Sequence, residues 1–148
     1  MGTFSRKSVA VWRGTGAEGK GELTTQSGAF ESRPYSTKAR FASEDGRAGT
    51  NPEELIAAAH AGCFAMALSF GLTAAGHPPE KLEVTATVRM ASEGVHWSVA
   101  GIDLALDAKV PGIEQAAFDT AAENAKKGCP ISKALAAVPI TLTSTLTR

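Results

Sequence analysis

The sequence predicts an α+β fold in which one long helix packs against antiparallel strands. Three observations lead to this prediction. Stretches of alternating apolar and polar residues occur near both ends of the chain and in its middle. One helical pattern of some twenty-odd residues separates the first stretches from the later ones. Two shorter helical patterns precede the last alternating stretch, so the predicted order is βββ-α-ββ-α-α-β.

The first three strands are predicted near the N-terminus. Residues 8–12 alternate, and residues 23–25 are strand formers bounded by glycines, so the two stretches predict a hairpin. Residues 13–21, with four glycines, predict a loose turn of about nine residues. A third strand is predicted over residues 36–41, with Arg40 on it or at its end.

The segment TNPEEL has the composition of a helix start. Asn51 suits the N-cap, Pro52 the first helical position and Glu54 the capping box. The helix is predicted to run to about Ala75 and to end at Gly76. Because this helix is apolar or small on every face, one sheet covers only part of it, and a second copy of the chain is expected to cover the rest.

The second half predicts a hairpin, two helices and a final strand. Residues 82–90 and 95–110 form the hairpin, joined near residues 92–94. Pro111 is predicted to open a helix that Gly128 ends, Pro130 to start a short helix, and residues 139–147 to form the last strand. The length of 148 residues predicts a single domain.

Composition narrows the classes of function. The chain has 15 basic and 15 acidic side chains, which argues against a nucleic-acid-binding surface. The apolar run over residues 55–72 is interrupted by His60 and Ser69, so it predicts a buried core helix rather than a membrane span. No signal-peptide pattern follows the basic residues near the N-terminus. We therefore expect a cytoplasmic protein, in which a disulfide has redox chemistry rather than a structural role.

Cys63 and Cys129 are the residues best suited to chemistry. Cys63 lies within the apolar helix, where burial raises the thiol pKa unless a cation approaches. Arg40 is the first candidate for that cation and His60, one turn earlier, is the second. Cys129 precedes Pro130 and is predicted at the N-cap of the short helix, where free N–H groups stabilise a thiolate. On the residues alone, Cys129 is the more acidic thiol.

When Glu54 takes the capping-box position, Glu53 is available for a different role. It precedes Cys63 by ten residues, about 15 Å along a helix, so the carboxylate cannot touch the thiol. The Glu53 carboxylate can instead bind an arginine whose guanidinium reaches the Cys63 thiol. The alternative role of Glu53 is simply to stabilise the helix N-terminus.

Other interpretations of these residues stay open. The cysteines can be two inert buried thiols that never meet, and His60 can be an ordinary core residue. A zinc site formed by Cys63, Cys129 and His60 is disfavoured, because the chain lacks closely spaced ligand pairs. No phosphate-binding glycine loop or serine nucleophile motif is visible. A non-catalytic module that binds a hydrophobic ligand at a dimer interface is the competing class of function.

Three segments resemble one known family. NPEELIAAAHAGCFAMALS around Cys63, GCPISKAL around Cys129 and PYSTKARF around Arg40 resemble the OsmC branch of the OsmC/Ohr hydroperoxide reductases. The resemblance extends over nearly the whole chain, from VAVWRG to ITLTSTL. Gly62, directly before Cys63, is a small departure at a position where the family varies, and we expect it to leave the chemistry intact.

The resemblance implies an OsmC-like fold, with antiparallel sheets wrapped around a long central helix in an intertwined homodimer. It implies that Cys63 attacks the peroxide, that Cys129 resolves the product as a disulfide, that Arg40 contacts the reactive sulfur and that Glu53 orients Arg40. The implied activity is a stress-defence peroxidase for organic hydroperoxides, with hydrogen peroxide as a second candidate. The implied reductant is a lipoylated protein or another external dithiol, and no metal or flavin is required.

Overall fold

The computed structural model describes residues 2–148 and confirms the α+β class. The chain divides into two compact units, one ending at Pro52 and one spanning Glu53–Arg148, and the single domain stays a prediction. The strands are β1 (Ser8–Arg13), β2 (Lys20–Thr25), β3 (Arg33–Ser36), β4 (Lys81–Glu93), β5 (His96–Lys109) and β6 (Ile140–Thr147). The helices are α1 (Thr37–Phe41), α2 (Pro52–Ala74), α3 (Gln115–Gly128) and α4 (Pro130–Ala134).

The first unit is an antiparallel sheet in the order β1-β2-β3, followed by α1. The predicted hairpin is confirmed, but its strands extend further, so the loop spans residues 14–19 and is shorter than expected. The prediction of a strand over residues 36–41 is wrong. The Ser36 hydroxyl accepts a hydrogen bond from the backbone N–H of Ala39 (3.0 Å), which caps a helical turn and places Arg40 on α1.

The long helix α2 has nearly the predicted bounds. It ends in a Schellman motif: the N–H of Gly76 bonds to the carbonyl of Thr73 (3.0 Å), and that of His77 to the carbonyl of Leu72 (2.9 Å). Gly76 has φ +84°, a left-handed conformation that favours glycine. The predicted stop signal is therefore confirmed, whereas the Asn51 cap stays a prediction.

The second unit contains a sheet in the order β4-β5-β6. The hairpin β4-β5 is confirmed, and Glu93 pairs with His96 across the turn at Gly94. One pairing differs from the expected antiparallel sheets, because β6 runs parallel to β5. The crossover through α3 and α4 makes this possible, since parallel neighbours need a long connection. Helix α3 begins at Gln115 rather than at Pro111.

One face of α2 forms part of the core. Phe64, Leu68 and Leu72 recur every four residues and are fully buried, together with side chains of β5 and α3. On other faces Met66 is 65% exposed and Phe70 is 75% exposed in the single chain. The expected uncovered apolar surface is therefore present. By length and composition alone, α2 would also be long and apolar enough to cross a membrane, a weak indication that the central helix of a globular protein gives too.

Gly62 offers a test of the exposed side of α2. A Cβ atom at this position meets nothing within 4 Å in the single chain. Gly62→Ala should then stabilise the helix by about 0.5–1 kcal/mol, because alanine loses less backbone entropy on folding. Thermal unfolding should show a rise in Tm of about 1–4 °C, and Gly71→Ala, which also meets nothing within 4 Å, provides the matched comparison. A fall in Tm for Gly62→Ala would mean that this part of the helix packs closely in the assembled protein.

Candidate redox site

The second unit brings the two cysteines into contact. Their Sγ atoms lie 2.8 Å apart, although the residues are 66 positions apart in sequence. Cys63 lies half-buried on α2, Cys129 is fully buried between α3 and α4, and both are free thiols. The alternative of two thiols that never meet is therefore wrong. Because the sulfur atoms already touch, a disulfide between them requires little movement.

Cys129 is held by the junction of two helices. Its backbone N–H donates to the carbonyl of Ala125 (2.9 Å) at the end of α3, and its carbonyl accepts from the N–H of Lys133 (3.1 Å) in α4. Pro130 follows at the first helical position, where its missing N–H costs nothing. Cys129 is thus the N-cap of α4, as the sequence predicts.

The environments of the two thiols shift their pKa values in opposite directions. Burial raises the pKa of Cys63, and the hydrogen bond with Cys129 raises it further. Burial also acts to raise the pKa of Cys129, but the contact with the Cys63 thiol and the polar groups of Ser132 and Ile131 at the start of α4 outweigh burial and lower that pKa. Cys129 is therefore the more acidic thiol within the second unit, the direction that its N-cap position favours.

His60 is buried beside this pair rather than acting as a cation. The imidazole is fully buried, and burial lowers its pKa, so the ring is neutral at pH 7. Its Nε2 lies 2.7 Å from the Oγ of Ser132, which is also buried. Its buried Nδ1 has no hydrogen-bond partner among residues 2–148. The charge that Cys63 needs must come from elsewhere.

Arg40 and Glu53 belong to different units. Arg40 is an exposed residue of α1, and its guanidinium carbon lies 4.7 Å from the centroid of the Phe41 ring. Glu53 is half-buried in the first turn of α2, next to the exposed Glu54. The predicted contact between Arg40 and Cys63 and the predicted orientation of Arg40 by Glu53 both stay predictions.

Comparisons with known proteins decide the family. A family profile described as "OsmC-like protein" matches residues 43–143, about two thirds of the chain. The chain belongs to the OsmC-like family. It is 42% identical to the protein named Peroxiredoxin OsmC of Escherichia coli (strain K12) over 135 residues, which cover 91% of this chain and 92% of that protein.

Solved structures of OsmC-like proteins share the fold. OhrB of Bacillus subtilis, an organic hydroperoxide resistance protein, matches with a TM-score of 0.70 at 24% identity, covering 96% of this chain and 98% of that one. An OsmC-like protein of Mycoplasma pneumoniae matches with a TM-score of 0.76 at 14% identity, covering 98% and 99%. At these identities the likeness is one of fold alone.

An apolar groove lies between α2 and α3 of this OsmC-like protein. It has a volume of about 560 Å³ and is lined mainly by alanine and glycine residues of these two helices. Its lining includes Ala67, one turn after Cys63, and Gly128, directly before Cys129. Among residues 2–148 no three histidine, cysteine or acidic side chains cluster as metal ligands.

Sequence reasoning missed Ser132. Its buried hydroxyl, three residues after Cys129 in the chain, lies 2.7 Å from Nε2 of His60. The available signal was spacing, since His60 precedes Cys63 by three residues and Ser132 follows Cys129 by three. Where two helices touch at one pair of residues, the residues one helical turn away from that pair also lie on the touching faces. The signal becomes readable only once the two cysteines are known to meet.

Proposed function

We propose that this protein is a cysteine-based peroxidase that reduces organic hydroperoxides. The observation that carries the proposal is the 2.8 Å contact between the Cys63 and Cys129 sulfur atoms. The relatives named peroxiredoxin and organic hydroperoxide resistance protein support the same activity. The role belongs to oxidative and osmotic stress defence in the cytoplasm.

Cys63 is the thiol that attacks the peroxide. Cys129 is fully buried, whereas Cys63 is only half-buried in the single chain, and a substrate must reach the sulfur that it reacts with. The Cys63 thiolate attacks one peroxide oxygen, so that a sulfur–oxygen bond forms and the O–O bond breaks. The sulfur is oxidised to a sulfenic acid, and the other oxygen leaves with a proton as an alcohol.

Cys129 resolves the sulfenic acid. Its thiolate attacks the Cys63 sulfur, an S–S bond forms, the S–O bond breaks and the hydroxyl leaves with a proton as water. An external dithiol, either a lipoylated protein or a small molecule, then reduces the disulfide by thiol exchange and is itself oxidised. The contact between the sulfur atoms supports this step, because it removes the need for a large rearrangement.

Arg40 and Glu53 complete the proposed site. Burial and the bond with Cys129 disfavour the Cys63 thiolate, so this reaction needs a cation beside the sulfur. The neutral His60 does not supply it, which leaves the guanidinium of Arg40 as our candidate. Arg40 also stabilises the charge that develops on the departing oxygen, and Glu53 orients Arg40.

A homodimer and an organic substrate fit the apolar surfaces. Met66 and Phe70 on α2 are largely exposed in the single chain, and a second copy would bury them. The groove between α2 and α3 is apolar and includes Gly128, the neighbour of Cys129, as a pocket for an organic hydroperoxide tail should be. We therefore expect faster turnover with cumene hydroperoxide than with hydrogen peroxide.

Thiol counting tests the proposed function directly. The reduced protein is mixed with one equivalent of cumene hydroperoxide, and the remaining thiols are counted by alkylation and mass spectrometry. We expect the loss of both thiols, a mass two units below the reduced protein and a peptide that links Cys63 to Cys129. Two thiols that remain titratable while the peroxide is unconsumed would instead favour a non-catalytic module that binds a hydrophobic ligand.

A further inference from the structure

We propose that His60 and Ser132 are positioning residues, whose hydrogen bond clamps α4 to α2 and keeps the two cysteine sulfur atoms in contact. This inference rests on the proposed function, because it concerns the step in which Cys129 resolves the oxidised Cys63. It deepens that function by assigning a task to two buried polar residues that the peroxide chemistry itself does not use.

Two side-chain contacts connect α2 with the start of α4, and they lie one helical turn apart. The Sγ atoms of Cys63 and Cys129 are 2.8 Å apart. The Nε2 atom of His60 lies 2.7 Å from the Oγ atom of Ser132. His60 precedes Cys63 by three residues, and Ser132 follows Cys129 by three. Because side chains three residues apart share a helix face, a bond that fixes one pair also positions the other.

The hydrogen bond can hold this position because both of its partners are buried. The His60 side chain is fully buried, and Ser132 is also buried. A hydrogen bond is stronger in the low-dielectric interior than in water, and breaking it there leaves a polar group unsatisfied. The other ring nitrogen, Nδ1, has no hydrogen-bond partner among residues 2–148, so within this part of the chain the Ser132 hydroxyl satisfies the imidazole. A movement of α4 away from α2 would therefore leave a buried imidazole unsatisfied.

Helix α4 needs such a contact because it has little stability of its own. It has five residues, whereas an isolated helix needs about 12–15 to form in water. The backbone bond from the N–H of Cys129 to the carbonyl of Ala125 (2.9 Å) ties the start of α4 to α3, not to α2. The contact between the thiols is weak, because S–H is a weak donor and sulfur a weak acceptor. The bond between His60 and Ser132 is therefore the stronger of the two contacts with α2.

The clamp raises the effective concentration of one thiol at the other. Groups that are held in contact react faster than groups on elements that move independently. In the reduced protein, loss of the clamp gives α4 more freedom, whereas in the oxidised protein the S–S bond already restricts it. Loss of the clamp should therefore slow disulfide formation. It should also raise the reduction potential, because the disulfide becomes less stable relative to the dithiol.

The first readout is the reduction potential of the cysteine pair, measured without peroxide. The protein is equilibrated at pH 7 with mixtures of reduced and oxidised dithiothreitol or glutathione, and the disulfide fraction is measured by alkylation and intact mass. We expect Ser132→Ala and His60→Leu each to lower the effective concentration about tenfold, which raises the potential by about 30 mV. His60→Gln, which keeps an amide N–H near the position of Nε2, should recover part of this shift.

A double variant distinguishes a clamp from general damage to the fold. If the two residues act through one bond, combining His60→Leu with Ser132→Ala should shift the potential no more than either change alone. Leu72→Ala removes a fully buried side chain of α2 nine residues after Cys63, and it should lower Tm without changing the potential. Ser144→Ala, the same serine change at an exposed site on β6, should alter neither.

The second readout is the rate of the resolving step. With cumene hydroperoxide, Ser132→Ala should consume the first peroxide at the wild-type rate and form the disulfide about tenfold more slowly, so that dimedone traps the sulfenic acid. Single variants with the wild-type potential, an additive double variant, or an equal shift in Leu72→Ala would each overturn the clamp. Absence of peroxide consumption by the wild type would overturn the peroxidase proposal, and the potentials would still decide the clamp.

Discussion

Cys63→Ser should abolish peroxide turnover, with a loss of at least roughly 10³-fold in the rate of cumene hydroperoxide consumption. The reason is that serine cannot form the sulfenic acid on which the cycle depends. Cys129→Ser should behave differently. It should consume one peroxide per chain at nearly the normal rate and then stop with Cys63 as a sulfenic acid, unless an external thiol reduces it directly. Stopped-flow measurement of peroxide consumption, followed by mass spectrometry, distinguishes the two variants.

This pair of variants also decides which cysteine attacks the peroxide. The pKa shifts make Cys129 the more acidic thiol, whereas burial leaves Cys63 the more accessible one. If the acidity of the thiol determines which cysteine attacks the peroxide, Cys129→Ser loses the first turnover and Cys63→Ser retains it. We expect the accessibility of the thiol to determine it, because a thiolate that the peroxide cannot reach does not react. The reverse result would exchange the two proposed roles.

The sequence predicts the regular parts of this fold well because the signals there are local. The start and end of α2, the β4-β5 hairpin and the N-cap position of Cys129 all depend on residues within a few positions of each other. The predictions that were wrong also have physical causes. The predicted strand over residues 36–41 is instead the helix α1, because the Ser36 hydroxyl caps a helical turn. The parallel pairing of β6 depends on a crossover that no local pattern encodes.

The candidate site shows the same division. Composition and context single out Cys63, Cys129, His60 and Arg40, but no rule of spacing says that the two cysteines touch. That contact arises from the packing of α2 against the junction of α3 and α4, over 66 positions of sequence. Ser132 becomes visible only after that contact is known. Local sequence patterns therefore cannot predict a site whose residues are brought together only by tertiary packing.

Arg40→Met should lower the rate of the first peroxide reduction by about 10²–10³-fold, the cost of removing one well-placed stabilising group in the transition state. Methionine keeps most of the side-chain length and removes the charge. Two effects combine, since the Cys63 thiolate loses its counter-ion and the departing oxygen loses its hydrogen-bond donor. The measurement is single-turnover peroxide consumption against pH. The midpoint should rise in the variant, because the thiol becomes harder to deprotonate.

Two further variants make the Arg40 result specific. Lys38→Met removes a positive charge from the same short helix, where Lys38 pairs with Glu18 at 2.9 Å on the surface. Exposed ion pairs contribute little to the stability of a protein, so the rate of peroxide consumption by Lys38→Met should stay close to that of the wild type. Arg40→Lys keeps the charge without the planar pair of donors and should recover only part of the rate. Equal losses in Arg40→Met and Lys38→Met would mean that general electrostatics, rather than a guanidinium at the sulfur, activates Cys63.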